Sequence, residues 1–121
     1  MESNVRLQTS VGLLLSCLAC ASMAVGQRVE TTQENIEKGQ AIYKKRCLMC
    51  HGERWMGDGP AGKRMKPKPL SFADREKMAK LDDDHLFKRI SQGEKSMPAF
   101  DRKLREEQSW MVIHYIRTLS K

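Results

Sequence analysis

Cys47-Leu48-Met49-Cys50-His51 constrains this chain more than any other stretch. A thiol pair with two residues between, followed at once by an imidazole, is the attachment pattern for c-type haem. Two thiols add to the two vinyl groups of a haem, and the intervening residues let one short helical turn present both sulfurs to the same porphyrin edge. His51 then lies under the iron as proximal ligand. A zinc site needs four ligands, commonly two such pairs, and the other cysteines, Cys17 and Cys20, sit in an apolar leader. A thioredoxin-like pair wants a βαβ context, and no strand pattern surrounds this one. A labile metal site and a chance match are the alternatives to haem.

The leader is the second signal. Met1 to Gln8 is polar with one arginine, Val11 to Ala21 is almost wholly apolar or small, and Ser22-Met23-Ala24-Val25-Gly26 offers small residues for a signal peptidase. The apolar run is about eleven residues, against the roughly twenty that a spanning helix needs. Residues 1–26 therefore read as a signal peptide and 27–121 as the single domain, with cleavage after Gly26 preferred to Ala24. An uncleaved anchor is one alternative. Lipidation at Cys17, from the box Leu14-Leu15-Ser16-Cys17, is the other. Export, to a bacterial periplasm, agrees with the motif, because c-type haem is attached outside the cytoplasmic membrane.

The remaining chain, about ninety-five residues, is of a size that struggles to bury a large core. A flat apolar ring would give it something to wrap, consistent with an aromatic share of only 6%. Lys and Arg number 22 against 15 Asp and Glu, a formal charge of +7. No nucleic-acid motif accompanies that charge, so an acidic electron-transfer protein or membrane redox complex is the expected partner. A generally solvated basic surface is the plain alternative.

Periodicity predicts an all-α domain of three to four helices. Thr31 or Thr32 caps a first helix that carries Ile36, Gly39 and Tyr43 and runs through Lys44-Lys45-Arg46 into Cys47. Glycines and prolines from Gly57 to Pro69 break any period from Gly52 to Phe72, and so long a loop is usually functional. Asp82-Asp83-Asp84 opens a second helix with Leu86, Phe87 and Ile90 inward and Gly93 as its stop. The last helix runs from about Glu106 to Leu119, with Met111, Val112, Tyr115, Ile116 and Leu119 as its stripe. Leu104 can pack just before it.

In this order the motifs resemble those of a class I cytochrome c. They are Gly39 and Tyr43 before Cys47-x-x-Cys50-His51, Gly57-Asp58-Gly59-Pro60-Ala61-Gly62, Lys66-Pro67-Lys68-Pro69, Gly93 before Met97-Pro98-Ala99-Phe100, and a final helix with Trp110 and Tyr115-Ile116-Arg117. The resemblance runs from about Asn35 to the C-terminus. It implies a small cytochrome c fold wrapped around one covalent haem c. It also implies a crossing of the first and last helices, Gly39 and Tyr43 facing Val112 and Tyr115. A carbonyl of the proline loop would orient His51, Pro60 first and Pro67 or Pro69 otherwise.

For the distal iron ligand the resemblance points to Met97, in its Met-Pro position, and a thioether there raises the potential. Met56, Met65 and Met78 are loop or linker candidates, and Met111 belongs to a core stripe. His85 and His114 read as surface or half-buried residues, with a bis-histidine site as the alternative. A haem ligated on both sides has no site for substrate, so the implied role is a periplasmic one-electron carrier and not an enzyme. Lys63, Arg64, Lys66, Lys68, Lys95 and Lys103 are expected around its exposed edge. Two other roles stay open: a haem subunit of a larger oxidase or reductase, and a ligand-binding or peroxidase-like protein with a labile distal Met.

Overall fold

The computed structural model describes residues 28–120. The leader, with Cys17, Cys20 and both cleavage positions, lies outside the described residues.

The three expected long helices are present, and two short ones accompany them. Helix α1 spans Gln33–Arg46 and is capped by Thr32, whose hydroxyl accepts the Asn35 N–H at 3.1 Å. The single turn α2, Leu48–His51, follows after Cys47, whose N–H still bonds Tyr43 O at 2.8 Å. The attachment motif is thus an extension of the α1 spiral, stopped at Gly52. A long loop holding one 3-10 turn, Gly62–Arg64, leads to α3, Arg75–Ala79. Five residues are too few to display a period, and α3 is not among the expected helices; Asp74 caps it, accepting the Lys77 N–H at 3.0 Å. Helix α4 spans Asp83–Gln92, with Asp82 accepting the His85 N–H at 2.7 Å. Helix α5 spans Glu106–Arg117. It ends short of Leu119 because the Thr118 and Leu119 N–H groups turn to carbonyls three residues back, and the Thr118 hydroxyl donates to Tyr115 O at 2.7 Å. No strand occurs among the described residues, only an isolated bridge between Glu94 and Met97.

The crossing of α1 on α5 is the most extensive helix–helix contact. Tyr43 meets Tyr115 with ring centroids 5.4 Å apart, as the resemblance implied. Gly39 packs against Tyr115 and the Met111 backbone, where a Cβ would run into the Met111 carbonyl oxygen. Leu86 and Ile90 of α4 are buried, and Phe87 stacks on Trp110 at 4.6 Å. Arg117 ties α5 to the α3–α4 junction, bonding Asp83 at 2.7 Å, Met78 O at 2.9 Å and Leu81 O.

Both remaining histidines are accounted for. His85 is exposed. His114 spends both ring nitrogens on the N-terminal segment, Nε2 donating to Val29 O at 2.8 Å and Nδ1 meeting the Thr31 hydroxyl at 3.1 Å.

Gly39→Ala is expected to destabilise the protein by about 2–3 kcal/mol, because backbone must move to admit the methyl. Denaturant unfolding of the variant against the parent measures it.

Candidate functional site

The ends of α1 and α2, the loop from Met65 to Phe72, one face of α4, the Met97 loop and Ile116 of α5 enclose a cleft. It holds about 1200 Å³ counting its open mouth. Cys47, Cys50, His51 and Met97 all line it, although they come from separate segments. Its walls are mainly apolar, through side chains such as Leu70, Phe72, Leu86, Ile90 and Phe100.

His51 is 7% exposed. Its Nδ1 lies 3.2 Å from Leu70 O, and a carbonyl can only accept, so Nδ1 carries the proton and Nε2 is left with a lone pair. Leu70 corrects the expectation of Pro60, Pro67 or Pro69. The segment after the motif folds back on the other side of α2, where the Gly57, Gly59 and Ala61 N–H groups bond the carbonyls of His51, Cys50 and Met49. Pro60 is carried to the surface with it, while the chain crosses the imidazole one residue beyond Pro69. Phe72 stacks on the His51 ring at 4.4 Å and 18°, a contact no sequence signal announced. Burial holds the imidazole below its ordinary pKa, with the Leu70 bond opposing in part. A neutral ring is what a metal ligand requires.

Cys47 and Cys50 are free thiols. Burial, and secondarily the neighbouring Cys50, pushes the Cys47 thiol up to about 12. Behind them Tyr43 donates its hydroxyl to Gly52 O at 2.8 Å, fixing the end of α2 to α1. Burial raises the Tyr43 pKa, so the donor keeps its proton.

On the other side of the cleft, Gly93 turns at φ +74° and lets the chain fold back over α4. A Cβ there would lie 2.5 Å from Met97 O and 2.8 Å from Ala99 N. Phe100 N and Asp101 N then bond Ile90 O at 2.9 Å and Ser91 O at 3.2 Å, seating the loop. Among the other methionines, Met65 also lines the cleft, Met78 is 1% exposed in the core, and Met56 is 54% exposed.

Of the lysines expected around the edge, Lys68 and Lys95 line the cleft. Lys63 borders a separate cleft beside Asp58, and Lys103 sits over the Phe100 ring at 5.5 Å. Arg46 and Arg89 join the rim instead, with Glu94 its one carboxylate. Arg46 was legible as the residue before Cys47. Arg89 adjoins Ile90 on α4 and had no distinguishing mark.

Among the described residues no three His, Cys, Asp or Glu side chains gather to hold an ion, so the thiol pair lacks the further ligands of a zinc site. Two free thiols, an imidazole with one nitrogen open and a thioether across an apolar cleft fit a c-type haem.

The pattern of the family described as "Cytochrome C oxidase, cbb3-type, subunit III" matches residues 34–116. The chain is similar to the KustC0563 c-type cytochrome, at 27% identity and TM-score 0.60, over 69% of this chain and 98% of that one. It is also similar to a chain of the Kuenenia stuttgartiensis reducing HAO-like protein complex Kustc0457/Kustc0458, at 26% identity and TM-score 0.67. That match covers 79% of this chain and 48% of the other. No curated protein matches.

Tyr43→Phe leaves the buried Gly52 carbonyl without its donor and is expected to cost about 1–3 kcal/mol, read from the thermal midpoint. Gly93→Ala is expected to cost more than about 1 kcal/mol, because it combines a positive φ with a backbone clash. The same melting experiment checks it.

Proposed function

Because the chain belongs to the cytochrome c family described as cytochrome c oxidase, cbb3-type, subunit III, we propose that it carries single electrons on one haem c. In this reading Cys47 and Cys50 bind the haem covalently, His51 is the proximal ligand and Met97 the distal one. The supporting observation is the convergence of these four residues on one apolar cleft. Haem c supplies an iron that alternates between ferrous and ferric states.

The chain's own residues do the rest. Leu70 and Phe72 hold the imidazole in one tautomer and one plane. The thioether of Met97, a soft and weak donor, favours the ferrous state and raises the potential. Apolar walls exclude water and cut the reorganisation that accompanies a change of charge. His51 and Met97 would both be taken up in holding the haem, which would leave no ligand position for a substrate and favours a carrier over a catalyst. Arg46, Lys68 and Lys95 would steer an acidic partner to the cleft mouth. We place the carrier in the periplasm, on the composition of residues 1–26 and the chemistry of haem attachment.

A larger redox assembly is the second reading, and the likeness to a chain of the HAO-like complex favours it. No helix among the described residues is long and apolar enough to cross a membrane. Native mass measurement of the protein purified from its own cells separates a free carrier from a subunit.

Protein made in cells that mature c-type cytochromes is expected to give one covalent haem per chain in a pyridine haemochrome assay. A colourless product sinks the proposal. Met97→Ala should abolish the long-wavelength thioether band of the ferric form, lower the potential and admit carbon monoxide to the ferrous form. Met65→Ala should do none of these. Transfer to an acidic partner should slow severalfold between low and physiological salt, and a flat response refutes steering.

A further inference from the structure

We propose that the Arg89–Glu94 ion pair is a latch on the Met97 loop, setting how readily an outside ligand displaces the Met97 thioether. The inference rests on Met97 as distal ligand. Glu94 is bound to Met97 through its backbone in both directions: its N–H donates to Met97 O at 3.1 Å, and its carbonyl accepts the Met97 N–H at 2.9 Å. Only Lys95 and Ser96 lie between, and Lys95 is held at φ +52°. A side chain tolerates that left-handed conformation only when its surroundings impose it. The turn carrying Met97 is therefore tight and carries a local backbone cost.

The side chain of Glu94 supplies the link to the rigid part of the fold. Its Oε2 lies 2.9 Å from Arg89 Nε on α4, across the Gly93 joint. Arg89 Nε is sealed from solvent and has no well-aligned hydrogen-bond acceptor. Among the protein groups lining this cleft Glu94 is its one counter-charge, and with side chains 29% and 45% exposed the pair is a partly solvated one. The remaining side-chain tie from this turn, Ser96 Oγ to Lys66 O, is long at 3.4 Å. Lys68, Lys95 and Arg46, the other charged groups on this cleft, are all cations and offer Arg89 no counter-charge. Opening the Met97 turn must accordingly break the ion pair or drag it along. Arg89 and Glu94 act through Met97, as positioning residues.

Imidazole titration of the ferric holoprotein, followed by loss of the thioether band, tests the latch. Arg89→Gln and Glu94→Gln should each raise the apparent imidazole affinity roughly two- to fivefold. The double variant should exceed neither single by much, because the two groups form one interaction. Arg89→Lys, which keeps the charge, should recover part of the loss and guards against a folding defect in the glutamine variant. Single variants that titrate like the parent, or effects that simply add, overturn the latch. A parent protein without the thioether band overturns instead the assignment of Met97, so the two failures are distinguishable.

Discussion

The close passage of α1 over α5 is the constraint from which the rest of the structure follows. Gly39 brings the two backbones nearer than any side chain permits, and Tyr43 and Tyr115 lock the crossing a turn further on. Helix α1 leads through Cys47 straight into the attachment turn, so its position dictates where Cys47, Cys50 and His51 stand. Helix α5 contributes Ile116 to the cleft wall and, through Arg117, fixes the start of α4. The first and last helices of the described residues thereby become a frame, and the long loops between them hang from it.

Backbone hydrogen bonds help to order those loops. One wraps back on the carbonyls of α2, then crosses the cleft to present Leu70 O and the Phe72 ring to His51. The other is seated on α4 through Phe100 and Asp101 and closes on itself between Glu94 and Met97. A small domain has little apolar surface to spare. An apolar cleft of this size in so small a chain makes sense when a large flat group completes the core.

Charge is distributed in a way that suits an electron carrier. The imidazole is buried and neutral, the walls are apolar, and cations gather at the mouth. The cleft therefore has a low-polarity interior and a charged rim. Arg89 stands apart from the other rim cations because its nearest nitrogen is sealed and matched to Glu94.

By itself the sequence determined whatever is local. The caps at Thr32 and Asp82, the stops at Gly52 and Gly93 and the Cys-x-x-Cys-His turn are set by residues within a few positions of each other. Their hydrogen bonds need no distant partner. The buried face of α5, by contrast, takes in Trp110 and Ile113 in place of the expected Met111. Tertiary structure alone decided that Leu70 rather than Pro60 orients His51, that Phe72 stacks on it, that Met65 shares the cleft with Met97, and that Arg46 and Arg89 displace most of the expected lysines from the rim. Each of these depends on how a long aperiodic loop is draped over a helical frame. That path is chosen by the sum of many weak contacts between residues far apart in the chain, and no short pattern encodes it.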